Sequence, residues 1–192
     1  MGVADGVGWF NSCRINPKLY AEKLMREAER ASRTGVQDPL KILEMAYQHT
    51  IKPGFFGGST ACIVSLSSSG YLEAINIGDS GFLVVRNGQT ALKSKPGQRF
   101  ENAPFFLGRR PDDGLEVERP SDGQVYKIKS RKDDLIILGT DGLFDNLNES
   151  EVLRFVKGRR RQGLASALVQ HAFSEGWKTD DITVIVGKVE KI

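Results

Sequence analysis

Apolar residues recur at the spacing of an α-helix in four stretches of the chain. The first two stretches each open with a capping side chain followed by proline, a pair typical of a helix N-terminus. The third opens with a capping box, in which an N-cap residue and a glutamate three positions later satisfy each other's backbone N–H groups. We therefore predict helices that begin after Asn16, Asp38 and Asn148, and a fourth helix over residues 164–176.

Short apolar and β-branched runs outside these helices predict strands. Asn87-Gly88 closes one of the runs and is a strong signal for a hairpin turn. Residues 93–123 are rich in Pro, Gly and Asp, and they predict a long irregular surface segment. The predicted strands are 61–66, 71–77, 81–86, 125–128, 135–138 and 182–186.

The order of these elements is two helices, a run of strands, two helices and a last strand. Such runs, without strict βαβ alternation, indicate an α+β layered domain with mainly antiparallel sheets. The length of 192 residues predicts one domain over 1–192. Hydrophobic residues make up 40% and charged residues 27%, values that are ordinary for a globular protein.

Charge and cysteine content narrow the class of protein further. The net charge of +3 is too small to indicate a nucleic-acid partner. No apolar run approaches the roughly 20 residues that span a bilayer, so no membrane segment is predicted. Cys13 and Cys62 allow one bridge at most, which excludes a disulfide scaffold and favours a reducing, intracellular compartment.

Aspartates recur beside glycine at the ends of predicted strands. A carboxylate at a strand end is held by a rigid element but stays open to solvent, and the glycine lets a ligand approach closely. Several such carboxylates would repel one another unless a cation lay between them, and all-oxygen ligands favour Mg²⁺ or Mn²⁺. A single Asp-Gly pair is better explained as a turn former, whereas four such acidic segments together favour a metal site. The segments are Asp5-Gly6, Gly78-Asp79, Asp141-Gly142 with Asp145, and Asp180-Asp181.

Five segments together carry a family resemblance, and they occur in the family's order. They are VADGVG at 3–8, GSTA at 58–61, IGDSG at 77–81, TDGLFD at 140–145 and TDDITV at 179–184. On these segments the chain resembles the metal-dependent type 2C serine/threonine protein phosphatases, the PPM family. Within it, the chain looks most like the short single-domain branch associated with mitochondria and plastids. The resemblance covers essentially the whole chain.

The resemblance implies an αββα sandwich, in which two antiparallel sheets pack together between pairs of helices. It also implies hydrolysis of phosphoserine and phosphothreonine in phosphoprotein substrates by a water that bridges two Mg²⁺ or Mn²⁺ ions. By the family pattern, Asp5 bridges both metals, the Gly6 carbonyl binds one, and Asp141 and Asp180 complete the catalytic site. Asp79 and Asp145 resemble the residues that hold a third, weaker metal in some members.

Two departures from the family pattern bear on activity. Val7 stands where many members carry a histidine, so metal-bound water would have to protonate the leaving group. The family also begins with two further strands that bear an Arg and a Glu-Asp pair, and no counterpart precedes Asp5. We therefore expect a phosphatase domain truncated at its N-terminus and inactive or weak on its own. A catalytically incomplete phosphatase-like module that binds or regulates a partner is the alternative, and a purely structural α+β domain is a third.

Overall fold

The computed structural model describes residues 1–100 and 103–190. Short 3-10 helices lie at Gly8–Cys13 and Pro120–Asp122. The α-helices are α1 (Pro17–Arg33), α2 (Pro39–Thr50), α3 (Asp141–Phe144), α4 (Glu149–Val156) and α5 (Leu164–Glu175). The strands are β1 (Gly2–Val3), β2 (Gly57–Ser59), β3 (Ala61–Leu66), β4 (Tyr71–Ile77), β5 (Gly81–Arg86), β6 (Gln89–Lys93), β7 (Gln98–Phe100), β8 (Ala103–Pro104), β9 (Leu107–Arg109), β10 (Gln124–Lys129), β11 (Leu135–Gly139) and β12 (Val184–Lys188).

Helices begin where the sequence supplies capping side chains. The side chains of Asn16 and Asp38 accept hydrogen bonds from backbone N–H groups in the first turns of α1 and α2. At α4, Glu151 donates its N–H to Asn148 Oδ1 at 3.1 Å, and Asn148 donates its N–H to Glu151 Oε2 at 2.8 Å. These bonds satisfy N–H groups that have no partner within the helix. The predicted helix starts are confirmed.

Most strands pair antiparallel in two four-stranded sheets. The first sheet has the order β1-β3-β4-β10, and the second has the order β12-β11-β5-β6. Strand β11 is central in the second sheet, where Leu138 lies opposite Phe82 of β5 and Ile185 of β12. Ile136 and Leu138 of β11 pack between the two sheets and Ile137 packs on the helices, so its apolar run is buried on both faces, as the sequence predicts.

The elements form four layers, helices, sheet, sheet and helices, and an apolar cluster fills the space between each pair of adjacent layers. Helices α1 and α2 pack on one face of the first sheet, with Leu24 and Leu43 against Ile63 and Ile75. The other face of that sheet packs on the second sheet, and the far face of the second sheet packs on α4 and α5. Along β5, alternate side chains point to opposite faces, so Phe82 and Val84 join the cluster between the sheets and Leu83 joins the helical cluster. The predicted α+β fold, an αββα sandwich, is confirmed.

The prediction of an irregular surface segment at 93–123 is wrong in part. This segment contains β7, β8 and β9, although residues 101 and 102 lie outside the described residues. Leu107 of β9 is fully buried and pairs with Ser59 of β2, a strand that was not predicted. Strands of two or three residues carry no recognisable alternation, and β2 and β9 lie about fifty positions apart in the chain.

The last strand begins at Val184, two residues later than predicted. Across the described residues, none of the helices is long and apolar enough to cross a membrane. Cys13 and Cys62 both carry free thiols.

Candidate metal centre

A cleft of about 350 Å³ lies at one end of the sandwich, where several strands end. Asp5, Gly6, Asp79, Asp141 and Asp180 all line it. Asp145, the sixth predicted residue, is joined to the cleft through Lys178 Nζ, which lies 2.7 Å from Asp145 Oδ2. The structure therefore brings all six predicted residues to one place.

Buried hydroxyl groups fix the backbone of Asp5. The Asp5 N–H donates to Thr60 Oγ1 at 3.0 Å, and the Asp5 carbonyl accepts from Thr60 N–H at 2.9 Å and from Ser59 Oγ at 2.8 Å. Thr60 Oγ1 also shares a hydrogen bond of 2.7 Å with Ser80 Oγ. These contacts hold Asp5 against the first sheet, and the motif residues Ser59 and Thr60 thereby acquire a structural role.

Two glycines permit backbone contacts that the site requires. A Cβ atom on Gly6 would lie 2.6 Å from the carbonyl carbon of Pro17, the first residue of α1. A Cβ atom on Gly142 would lie 2.6 Å from the carbonyl oxygen of Asp181. Real Cβ atoms do not come so close, so glycine lets the Asp5 strand end meet α1 and lets the Asp141 turn meet the Asp181 loop.

Hydrogen bonds between Thr140, just after β11, and Thr183, just before β12, place Asp141 and Asp180 on the same side of the cleft. Thr140 donates its N–H to the Thr183 carbonyl at 3.1 Å, and Thr183 donates its N–H to Thr140 Oγ1 at 3.1 Å. Asp141 follows at once as the first residue of α3, where its Oδ1 accepts from the Gly142 N–H at 2.9 Å. Both aspartates are thus held at the end of a buried sheet.

Lys178 is a site residue that the sequence did not reveal. Its Nζ lies 2.7 Å from Asp141 Oδ2, 2.7 Å from Asp145 Oδ2 and 3.2 Å from Asp180 Oδ2. Although burial alone would lower it, the hydrogen bonds with Asp141 and Asp145 hold the pKa of Lys178 above its usual value. The available signal was its place two positions before Asp180, but a lysine in a polar loop is ordinarily solvated.

Asn146 fixes the backbone of Lys178. Its buried amide donates to the Gly142 carbonyl at 3.0 Å and to the Lys178 carbonyl at 2.9 Å, and it accepts from the Lys178 N–H at 2.9 Å. The loop that carries Lys178 and Asp180 is thereby attached to the turn that carries Asp141. No sequence pattern pointed to this role of Asn146.

The electrostatics of the cleft suit a cation. Burial, and then the neighbouring Asp141 carboxylate, raise the pKa of Asp5 to about 7. Burial also raises the pKa of Asp79, and a hydrogen bond of 3.1 Å from Gln98 opposes that rise. A bound cation would relieve the repulsion between these carboxylates.

The donor set of the cleft fits a hard divalent cation, because its acidic ligands offer only oxygen atoms. Across residues 1–100 and 103–190, however, no three His, Cys, Asp or Glu side chains are arranged to hold a metal by themselves. Three of the aspartates instead surround the Lys178 ammonium group. A cation therefore already stabilises the acidic cluster, and it is supplied by the chain.

Comparisons with known proteins agree with this architecture. The family profile described as Stage II sporulation protein E (SpoIIE) matches residues 20–190. The chain is 36% identical to "Probable protein phosphatase 2C 55" of Arabidopsis thaliana, over 98% of this chain and 45% of that protein. It is 34% identical to "Protein phosphatase PTC7 homolog fig" of Drosophila willistoni, over 98% of this chain and 72% of that protein. The X-ray structure of the photosystem II phosphatase PBCP matches with a TM-score of 0.87 and 25% identity, over 98% of this chain and 86% of that one.

These matches confirm the resemblance seen in the five sequence segments. The chain belongs to the type 2C serine/threonine protein phosphatase family. It spans less than half the length of the Arabidopsis relative, of which it covers 45%.

Proposed function

We propose that this protein hydrolyses phosphoserine and phosphothreonine in phosphoproteins, with Mg²⁺ or Mn²⁺ as cofactor. The observation that supports this most directly is the convergence of Asp5, Asp79, Asp141 and Asp180 on one cleft, at one end of a type 2C sandwich. Membership of the family supports the reaction class and the phosphoprotein substrate.

In this proposal, two divalent cations are held by Asp5, Asp141, Asp180 and the Gly6 carbonyl, and a third by Asp79 and Asp145. Bound there, divalent cations supply an ionised water near neutral pH and offset the negative charge of the phosphoryl oxygens. The chain contributes the fixed position of its carboxylates, since buried hydroxyls hold Asp5 and the threonine pair Thr140 and Thr183 holds the opposite side.

The residues around the cleft favour direct attack by water. Among its described lining residues there is no histidine or cysteine, and the Thr60 hydroxyl is already hydrogen-bonded to Ser80. A phosphohistidine or phosphocysteine intermediate therefore has no basis among these residues, and the aspartates are assigned to the metal in this proposal. Val7 lines the cleft where a general-acid histidine would stand in many relatives, so proton delivery to the leaving group falls to solvent.

The test is hydrolysis of a phosphothreonine peptide by the product of the complete open reading frame, with and without Mn²⁺. Asp141→Asn removes one anionic ligand while keeping the shape of the side chain, so turnover should fall at least about 100-fold. Asp112→Asn is the matched control, because Asp112 is exposed and lies 3.9 Å from Arg110 on a surface turn. Activity of Asp141→Asn within about threefold of the control would contradict the assignment.

A second candidate is a phosphatase-like module that binds a partner without catalysis. The contact of Lys178 with three of the aspartates favours it, because the ammonium stabilises the cluster without any metal. Under this alternative, the complete protein would fold and show no Mn²⁺-dependent hydrolysis, whereas the phosphatase proposal expects turnover that EDTA abolishes.

We also propose an intracellular, reducing compartment for the protein. The free thiols of Cys13 and Cys62 support this, and the resemblance to the mitochondrial and plastid branch narrows it to those organelles. Microscopy of the tagged complete product tests the proposal, and secretion would contradict it.

A further inference from the structure

We propose that Lys178 is a built-in competitor of the divalent cation: its ammonium group holds Asp141, Asp145 and Asp180, and it must leave them when a metal ion binds. This inference rests on the proposed metal centre, and it assigns a regulatory role to a residue outside the predicted ligand set.

Lys178 makes two hydrogen bonds and one further ion pair through its ammonium group. That group has three N–H donors and no acceptor. It meets three carboxylate oxygens, at 2.7 Å on Asp141, 2.7 Å on Asp145 and 3.2 Å on Asp180. Asp141 and Asp145 belong to the segment of α3, whereas Asp180 lies in the loop before β12, so the ammonium joins two separate parts of the chain.

The same oxygens cannot serve the ammonium and a divalent cation together. Lys178 lines the cleft alongside Asp5, Asp79, Asp141 and Asp180, and only 23% of its side chain is exposed. Mg²⁺ binds carboxylate oxygens at about 2.1 Å. A metal ion there would bring its two positive charges within a few ångströms of the positive charge of the Lys178 ammonium group. Repulsion at that distance in a partly buried cleft is large, so metal binding requires the ammonium to move away.

The backbone of Lys178 does not need to move in this exchange. Asn146 holds its N–H and its carbonyl, so displacement of the ammonium is a rotation of the side chain alone. The loop that bears Asp180 therefore keeps its position while a metal ion replaces the ammonium group of Lys178 beside it.

Competition makes a specific prediction about metal affinity. Each metal ion that binds must first break the contacts of Lys178, so removal of the ammonium should tighten metal binding. We expect Lys178→Met in the complete protein to lower the Kd for Mn²⁺ about tenfold, the scale set by a few weak ion pairs. Lys178→Arg keeps the charge and should stay near the wild type.

Without metal, Lys178→Met should melt at a lower temperature, because three carboxylates lose their counter-ion. Its melting temperature should then rise more on addition of Mn²⁺ than that of the wild type. Lys188→Met is the matched control, because Lys188 pairs at 2.7 Å with Asp133 at the opposite end of β12 from the cleft. It should leave the Kd for Mn²⁺ unchanged.

The experiment is calorimetric titration of MnCl₂ into EDTA-treated wild type, Lys178→Met, Lys178→Arg and Lys188→Met. Lys178→Gln, folded in the presence of Mn²⁺ and then stripped, replaces Lys178→Met if that variant does not fold without metal. A Mn²⁺ affinity equal to or weaker than that of the wild type in the neutral variant, Lys178→Met or its replacement Lys178→Gln, would overturn the proposal. If Asp141→Asn still weakens binding in that case, the metal centre stands and only the competition is wrong. Absence of Mn²⁺ binding in every variant would remove the metal centre, and this proposal with it.

Discussion

Asp134 binds the guanidinium group of Arg86 through two hydrogen bonds of 2.8 Å, from Nε to Oδ1 and from Nη2 to Oδ2. The carboxylate is fully buried and also accepts the Arg131 N–H at 2.8 Å. Arg86 Nη2 donates in addition to the carbonyl of Lys129 in β10, a strand of the other sheet. The pair thus joins the two sheets at the end of the sandwich opposite the acidic cleft.

Loss of the Asp134 charge should destabilise the domain strongly. Asp134→Asn keeps the shape of the side chain but leaves Arg86, whose side chain is only 17% exposed, without its anion. We expect a loss of about 3 kcal/mol in the free energy of unfolding, measured in urea. Asp133→Asn is the control, since Asp133 is 62% exposed, pairs with Lys188, and should change stability by less than about 1 kcal/mol. Equal losses in the two variants would show that the Arg86 contact does not stabilise the fold.

The same pair predicts a dependence of stability on pH. Burial alone would raise the pKa of Asp134, but the hydrogen bonds from Arg86 and Arg131 outweigh it and hold the pKa below its usual value. A lowered pKa in the folded state contributes stability above the unfolded value of about 3.9, and this is lost as pH falls through the folded pKa. The difference in unfolding free energy between wild type and Asp134→Asn should therefore shrink below about pH 4. A difference that stays constant on acidification would contradict this.

Gly78 should tolerate a side chain far less well than Gly88. Both residues have positive φ, 93° for Gly78 and 77° for Gly88, but only at Gly78 would a Cβ atom meet neighbours, at 2.5 Å from Thr60 Cγ2 and 2.7 Å from the Phe105 carbonyl oxygen. Gly88→Ala should cost about 1 kcal/mol from backbone conformation alone. Gly78→Ala adds overpacking and should cost about 3 kcal/mol by urea unfolding. Similar costs at the two positions would mean that the packing around Gly78 relaxes freely.

The same substitution should destabilise the protein at Asn146 and have almost no effect at the nearby Asn148. Asn146→Asp places an oxygen where the amide donated to the carbonyls of Gly142 and Lys178, so buried acceptors face each other. A loss of about 3 kcal/mol in unfolding free energy is expected. Asn148→Asp should leave stability nearly unchanged, because aspartate caps a helix as well as asparagine does. A neutral Asn146→Asp would show that these hydrogen bonds are dispensable.

The sequence predicted those elements whose signals are local. Asn16 and Asn148 cap helices with bonds that reach only two or three residues along the chain. At the predicted turn, Asn87 and Gly88 both have positive φ, 51° and 77°. Strands β2 and β9 escaped prediction because they are three residues long and are specified by their contact with each other.

The residues of the candidate site likewise fall into two groups, those with a local sequence signal and those without one. Asp5, Asp79, Asp141 and Asp180 were predictable as a group, because each stands beside a glycine or another aspartate next to an apolar strand. Lys178 and Asn146 were not, since most of their partners lie 32 or more positions away; the exceptions are Gly142 for Asn146 and Asp180 for Lys178. A loop lysine and a turn asparagine give no periodic signal to distinguish them.

The attachment of the Lys178 backbone by Asn146 has a consequence for the ionic environment of the cleft. A tethered ammonium group stays beside its carboxylates and offsets part of their charge whatever the concentration of free monovalent ions. Potassium or sodium in the medium therefore adds little to the competition that a divalent ion already meets. Metal affinity in the wild type should vary less with salt than in Lys178→Met, whose more negative cleft attracts the ions of the medium directly.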